Sequence, residues 1–270
     1  WKQAYIKPIA KVTSPSVPAD YRPISITPVL CRVMEKLVVR QFIYPALMTA
    51  PSPLSFMDQY AFRPSGSTTA AIIALLHKVS TLLITHPYVI VISLDFSKAF
   101  DTVRHATLMN KYSMLDLPDC IYNWINNFFT AHEHCTIFDS VKSPFLGINA
   151  SVIQGSGLGP VSYSVVASDL HPCTDGNDIV KFADDFDLII PSTNVDSRSS
   201  ELQHIQDWAD RNNLQLNRNK SQEIVFFRPY TRKVNIPTVP EVLGVPRVKR
   251  IKLLGVTIAD NFSMDDHVDS

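Results

Sequence analysis

Apolar residues gather most densely near the middle of the chain. Val89-Ile90-Val91-Ile92-Ser93-Leu94 is too apolar for a strand with one wet face. It predicts a strand in a sheet covered on both sides, a pattern most common in parallel sheets. The run ends in Asp95. A buried strand that delivers a carboxylate at its end is costly unless a cation meets it there. Further on, apolar runs flank Ala183-Asp184-Asp185 within residues 178–191, which predicts a hairpin with two adjacent carboxylates at its tip. Taken alone, an Asp-Asp pair in a hairpin is an ordinary turn. Three acids at sheet ends, none with an obvious arginine beside it, are what a divalent-cation site needs.

Periodicity and punctuation predict the remaining elements. Residues 1–28, rich in Pro, Ser and Thr, predict loops and one or two short strands. Leu30, Val33, Met34, Leu37 and Val38 recur at helical spacing over 29–48, with Pro45 expected to end or kink the helix. A turn-rich connection covers 51–66. Ser67 and Thr68 can cap a helix that runs to about residue 85 through Ala71, Ile72, Leu75, Leu76, Val79 and Leu82. Helices are expected at 105–114 and 118–131, the second opening on Pro118. Strands at 135–139 and 145–153 precede the loop Gln154-Gly155-Ser156-Gly157-Leu158-Gly159-Pro160 and a helix at 161–170. After the hairpin, 197–213 reads as a polar helix with Leu202, Ile205 and Trp208 on one face, and strands at 222–227 and 250–258 follow. The mixture is α+β or α/β, with no internal repeat or obvious linker.

Composition narrows the class. The 270 residues suit one large domain or two small ones, and 46% hydrophobic content is ample for a core. No run of 18 apolar residues is evident, so no membrane span is expected, nor is a secretory leader. The chain opens on Trp1, as a fragment would. Cys31, Cys120, Cys135 and Cys173 show neither metal nor disulfide spacing, which fits a reducing compartment. A formal charge of zero speaks weakly against a general nucleic-acid binder. The distribution says more. In the first fifty residues Lys2, Lys7, Lys11, Arg22, Arg32, Lys36 and Arg40 face only Asp20 and Glu35, and Arg247, Lys249, Arg250 and Lys252 cluster near the end. Two basic ends around an acidic centre suit a polyanion laid across a metal site; ordinary solvated surface is the competing reading.

Two Mg²⁺ ions about 3.5–4 Å apart can activate an attacking oxygen and stabilise a leaving phosphate oxygen. Asp95 and Asp184 are the acids chosen to bridge both ions, with Asp185 helping one. Beside this chemistry stands a series of motifs: Tyr21-Arg22-Pro23-Ile24-Ser25-Ile26, Gln59-Tyr60-Ala61-Phe62-Arg63, Leu94-Asp95-Phe96-Ser97-Lys98-Ala99-Phe100-Asp101, Gln154-Gly155-Ser156, Leu158-Gly159-Pro160, Phe182-Ala183-Asp184-Asp185, Leu216-Asn217 with Lys220, and Leu254-Gly255-Val256. Each is weak alone. Together and in this order, over almost the whole chain, they resemble the reverse transcriptases of non-LTR (LINE-type) retrotransposons.

The resemblance implies an α+β right-hand polymerase, with fingers at about 1–87 and part of 105–150 and a palm at about 88–104 and 151–258. It replaces the parallel reading of the central strand with an antiparallel palm sheet packed on helices. It also implies RNA-directed DNA synthesis with Mg²⁺ or Mn²⁺, held by Asp95, Asp184, Asp185 and the backbone carbonyl of Phe96. Phe100 would lie under the sugar of the incoming nucleotide, leaving no room for a 2′-OH; alone, it reads as a core residue. Gln154 and Gly155 would lie against nucleotide and template, where glycine permits close approach. Arg22 and Lys11 would grip the triphosphate. Lys220 would protonate or steady the leaving pyrophosphate, Arg63 would contact template or brace the fingers, and Leu254-Gly255-Val256 would be the turn that holds the primer end. Partners would be an RNA template, a DNA primer or target, dNTP and the remainder of the retrotransposon polyprotein. No membrane is involved. The setting would be intracellular, in the nucleus or a cytoplasmic ribonucleoprotein.

Departures from the family pattern are few. Phe182 stands where many relatives carry Tyr, and Ser151-Val152-Ile153 replaces a more usual Gly-Val-Pro. The thumb helices and any endonuclease region are expected outside the chain, which stops at Ser270. His132-Glu133-His134-Cys135 fits no zinc spacing and is expected on the surface or at a strand edge, and His171 and Cys173 read as loop residues. His105 and Ser97 suggest no nucleophile triad. Two other readings compete with the polymerase: a non-catalytic nucleic-acid-binding remnant of a mobile element, and a two-metal nuclease or phosphohydrolase.

Overall fold

A computed structural model describes residues 2–227, 239–242 and 244–268. Residues 228–238 and 243, part of the expected palm span, lie outside the described residues, as do Trp1 and Ser270. In chain order the elements are β1 (Gln3–Ala10), β2 (Tyr21–Ile26), α1 (Val29–Val38), α2 (Tyr44–Met48), α3 (Thr68–Thr85), β3 (Tyr88–Leu94), β4 (Phe96–Ser97), α4 (Ala99–Thr102), α5 (His105–Tyr112), α6 (Asp119–Phe129), β5 (His132–Phe138), β6 (Val141–Lys142), β7 (Leu146–Ile148), α7 (Gly159–Ala167), β8 (Asp178–Phe182), β9 (Asp185–Pro191), α8 (Arg198–Arg211), β10 (Gln215–Leu216), β11 (Gln222–Phe227), β12 (Arg247–Val248), β13 (Arg250–Leu253), β14 (Val256–Ala259) and α9 (Asp265–Val268). They form two compact units, one of residues 1–56 and 100–169, the other of residues 57–99 and 170–270.

In the first unit β5 lies inside a sheet of order β2-β1-β5-β6, with β7 also paired to β5. β1 is one eight-residue strand rather than short pieces, because it pairs along its length with β2 and, in parallel, with β5. The first helix does not stop at Pro45. A π-turn, Val39–Ile43, precedes α2, and Pro45 enters within the first two residues of α2, where a missing N–H costs little. Strand β5 begins three residues earlier than expected. That buries the two ends of the His-Glu-His-Cys run, His132 at 0% and Cys135 at 2% exposed, while Glu133 and His134 are half-buried.

The β5 histidines make the first unit acid-sensitive. Burial holds His132, His134 and His105 below the usual imidazole range, His134 down to about 4. Unfolded histidines take up protons as pH falls below about 6.5, while the folded ones resist, His134 until near 4. The stability these groups contribute is therefore full above that upper value and lost as pH falls through the window. The first unit is expected to be about 1–2 kcal/mol less stable at pH 5 than at pH 7.5, as read by amide hydrogen exchange within β5. His134→Leu should flatten that slope.

In the second unit the sheet order is β12-β11-β3-β9-β8, with β3 antiparallel to both neighbours. The run's apolarity comes from cover on two faces rather than from parallel pairing. Val89 and Val91 face Ala71, Leu75, Val79 and Leu83 of α3, with Ile189, Val180, Ile224 and Phe226 alongside. Ile90, Ile92 and Leu94 point the other way and are equally buried. On α8, Leu202, Ile205 and Trp208 are buried as expected, and the Trp208 ring lies 6.1 Å from Phe186. Ser67 caps α3 by accepting from the Ala70 amide at 3.0 Å. By length and composition α3 is apolar enough to cross a membrane, although His77, Lys78 and Ser80 interrupt its apolar run. One face of it lies in the sheet's core, which accounts for that apolarity.

Two expectations are corrected at the end of the chain. The single strand at 250–258 is a hairpin, β13 with β14, turning at Leu254-Gly255, where φ is 48° and 93°. Positive φ at both central residues is the type I′ pattern that matches strand twist. Arg247 is not part of a solvated basic patch. It bonds Glu223, which is 0% exposed and also bonds Arg198 at 3.0 Å. A carboxylate buried in a sheet needs such cations to stay charged.

Candidate active site

The three acids come together within the second unit. Antiparallel pairing of β3 with β9 sets Leu94 opposite Phe186. Asp95 and Asp185 are the residues just beyond that pair, close enough that the Asp95 charge acts on the Asp185 carboxyl. The β8–β9 hairpin closes at the Phe182↔Asp185 pair, leaving Ala183-Asp184 as a two-residue turn. Partial burial, then the charges of Asp184 and Asp95, push the Asp185 carboxyl up to about 6, although its side chain reaches solvent. Asp95 is held by its backbone. Its carbonyl accepts from the Asn217 amide at 2.8 Å, and its amide donates to Ser221 Oγ at 3.1 Å. Phe96, next in line, is clamped by rings, 5.1 Å from Phe186 and 6.0 Å from Trp208. Asn217 of the Leu216-Asn217-Lys220 motif, with Ser221, thus supports Asp95. Lys220 itself lies exposed in the turn that follows β10.

This donor set suits a hard divalent cation. It is all oxygen, with like charges that a cation relieves. Among the described residues no three His, Cys, Asp or Glu side chains close into a ready-made cage. That is compatible with Mg²⁺, which usually takes one or two carboxylates and fills its shell with water and substrate phosphate.

Sequence reading missed Asp187, two residues on. It is 5% exposed, and burial pushes its carboxyl up to about 7 against a hydrogen bond with Ser93, with the Asp185 charge adding to the rise. Register could have found it, since Ser93↔Asp187 is a cross-strand pair. Also in this unit, the Arg63 guanidinium stands 5.4 Å from the Tyr60 ring, and Leu254-Gly255 forms the β13–β14 turn already described.

The remaining candidate residues lie in the first unit. Phe100 stacks on Tyr163, which is 0% exposed, at 4.5 Å and 24°. Its carbonyl accepts from Val152, and Gln154 Nε2 donates to Asp101 Oδ1 at 2.8 Å, so the Phe100 turn and the Gln154 loop are tied together. Gly155 has φ 105°, and a Cβ there would stand 2.3 Å from the Ser25 carbonyl oxygen, so only glycine fits. Ser25 N donates to the Gln154 carbonyl at 2.7 Å. Arg22, three residues earlier on β2, is exposed, and so is Lys11, whose Nζ donates to the Ala19 carbonyl at 3.2 Å. Glu35 is one of the two acids in the basic first fifty residues. It is 0% exposed and accepts from the Gly157 and Leu158 amides, the latter at 3.0 Å. Its burial leaves the exposed face of that segment more basic than the sequence count.

Comparison with known proteins gives the family and the fold. Residues 9–258 match the family described as reverse transcriptase (RNA-dependent DNA polymerase). The chain is 30% identical over 282 residues to the RNA-directed DNA polymerase from mobile element jockey of Drosophila melanogaster, covering 99% of this chain and 30% of that protein. It is 27% identical over 278 residues to the probable RNA-directed DNA polymerase from transposon X-element of the same fly, again covering 99% and 30%. The chain thus spans about 30% of the length of the curated relatives it matches. Telomerase from Candida tropicalis, solved with a fragment of telomeric RNA, shares the fold with a TM-score of 0.64 at 12% identity, over 97% of this chain and 44% of that one. The RNA-dependent RNA polymerase of a human picobirnavirus gives 0.56 at 12% identity, over 97% and 45%. The architecture is the α+β fingers and palm of right-hand polymerases, and the chain belongs to the reverse transcriptase (RNA-dependent DNA polymerase) family.

Proposed function

We propose that this chain carries RNA-directed DNA synthesis for a non-LTR mobile element. A primer 3′-OH attacks the α-phosphate of a deoxynucleotide, and pyrophosphate leaves. The observation that supports this best is the shared strand end of Asp95, Asp184 and Asp185, acids far apart in sequence. Reverse transcriptases generally use divalent metals. When bound by these three acids and the Phe96 carbonyl, two Mg²⁺ ions, or Mn²⁺ in their place, supply the charge that stabilises the attacking and leaving oxygens.

The chain's own groups take the remaining tasks. Arg22 and Lys11, exposed on the first sheet, grip the triphosphate. Phe100 excludes a 2′-OH. Gln154 and Gly155 lie against nucleotide and template, Arg63 against template, and Leu254-Gly255 against the primer end. Lys220 steadies or protonates pyrophosphate. In this reading residues 1–87 and part of 105–150 are fingers, and 88–104 and 151–258 are palm. The partners are an RNA template, a DNA primer or target, dNTP and the rest of the polyprotein, met in the nucleus or in a cytoplasmic ribonucleoprotein.

A labelled DNA primer annealed to RNA and given dNTPs is expected to lengthen, and only with Mg²⁺ or Mn²⁺ present. A primer that shortens instead identifies a two-metal nuclease. RNA binding with no nucleotide added, even with a thumb supplied, identifies a binding remnant.

A further inference from the structure

Gln59 touches the acid cluster from outside it. Residues 58–60 run as a short parallel rung beside β8: Lys181 N donates to the Asp58 carbonyl and Tyr60 N to the Lys181 carbonyl, each at 2.8 Å. A buried ammonium pins the rung, Lys181 Nζ standing 2.8 Å from Asp58 Oδ2 and donating to the Leu170 carbonyl at 2.6 Å. Burial opposes the charge on Asp58, but hydrogen bonds and charges from His171 and Lys181 hold its carboxyl below the usual range.

This rigid seat places Gln59, which is 2% exposed, against the hairpin tip. Its Oε1 accepts from the Ala61 amide at 2.9 Å and from the Ala183 amide at 3.1 Å. Its Nε2 makes no hydrogen bond among the described residues, so burying this amide is a cost that an apolar filler would avoid.

Ala183 is where that contact matters. Its φ is 56°, while Asp184 after it is not left-handed. A positive φ at the first turn residue alone is the type II′ pattern, a place that favours glycine. Alanine is strained there, and its amide lies outside the strand ladder.

We infer that Gln59 is a positioning residue for Asp184. By taking the Ala183 amide it holds a strained turn in the one conformation that keeps the next carboxylate beside Asp95 and Asp185. The inference rests on the metal-binding reading of those acids.

Mn²⁺ alone, titrated into the purified full chain and followed by electron paramagnetic resonance, tests it. The native chain is expected to bind Mn²⁺ and Asp184→Asn to lose that binding. Gln59→Met should weaken it about tenfold, the scale seen when outer partners of metal ligands are removed. Adding Ala183→Gly to Gln59→Met should restore it, because glycine reaches the left-handed turn without a brace. Gln59→Asn, which stays polar but falls one methylene short, serves if Gln59→Met fails to fold.

Native-like Mn²⁺ binding by folded Gln59→Met or Gln59→Asn overturns the inference. So does a loss that glycine does not restore, which makes Gln59 only a brace of its own segment. Mn²⁺ binding in the native chain that is absent, or indifferent to Asp184→Asn, instead overturns the metal reading on which the inference stands.

Discussion

Asp184→Asn is expected to lower nucleotide incorporation by at least about a thousandfold while leaving the thermal melting curve close to that of the native chain. The size follows from the charge. A metal held at the reacting phosphate supplies several kcal/mol of transition-state stabilisation, and each ~1.4 kcal/mol is a factor of ten in rate. Asparagine keeps the shape of the turn residue and one carbonyl oxygen, so the hairpin has no reason to open. It removes the charge that, with Asp95, crowds Asp185. Two like charges at one strand end oppose folding, so stability should hold or rise slightly. Single-turnover primer extension, run beside circular dichroism melts, measures both. A folded variant with unchanged incorporation would refute the assignment of the acids.

The second large effect concerns the choice of sugar. Phe100→Val is expected to raise the use of ribonucleotides relative to deoxynucleotides by about 10- to 100-fold, since forcing extra atoms into a filled site costs about 1–3 kcal/mol. The native ring cannot easily swing aside, because it lies stacked on the buried Tyr163 and its turn is bonded to the Gln154 loop. A ring so backed excludes by shape. Valine withdraws the outer part of that wall and keeps an apolar surface under the sugar. The ratio of kcat/KM for dATP over ATP should fall mainly through a gain with ATP. A folded Phe100→Val enzyme with the native ratio would place the gate elsewhere.

Much of this site was legible along the chain. The β3 run, the carboxylate hairpin, the Ser67 cap and the apolar face of α8 all stand where local patterns put them. These signals are short in range: two strands joined by a two-residue turn, or one helix with its cap. What failed was long in range. By local pattern the run at 250–258 looks continuous, and only the family resemblance marks Leu254-Gly255 as the turn at which it folds back on itself. The His132 run reads as polar surface, but β1, from the other end of the unit, pairs beside it, and its two ends are buried. Arg247 counts as a basic surface charge until Glu223 is seen beneath it. Glu35 looks like a solvated helix residue until the Gly157 and Leu158 amides are found on it.

By itself the sequence determined the family and the type of nearly every long element, and it picked out the three acids proposed as the site, because residue order, periodicity and turn chemistry are local properties of a chain. Only the tertiary structure decided that β9 and β11 are the strands flanking β3, that Asn217 and Ser221 hold the Asp95 backbone, and that Gln59 accepts from the Ala183 amide. Those depend on register between segments far apart in the chain. A shift of one residue in that register would turn every side chain to the other face.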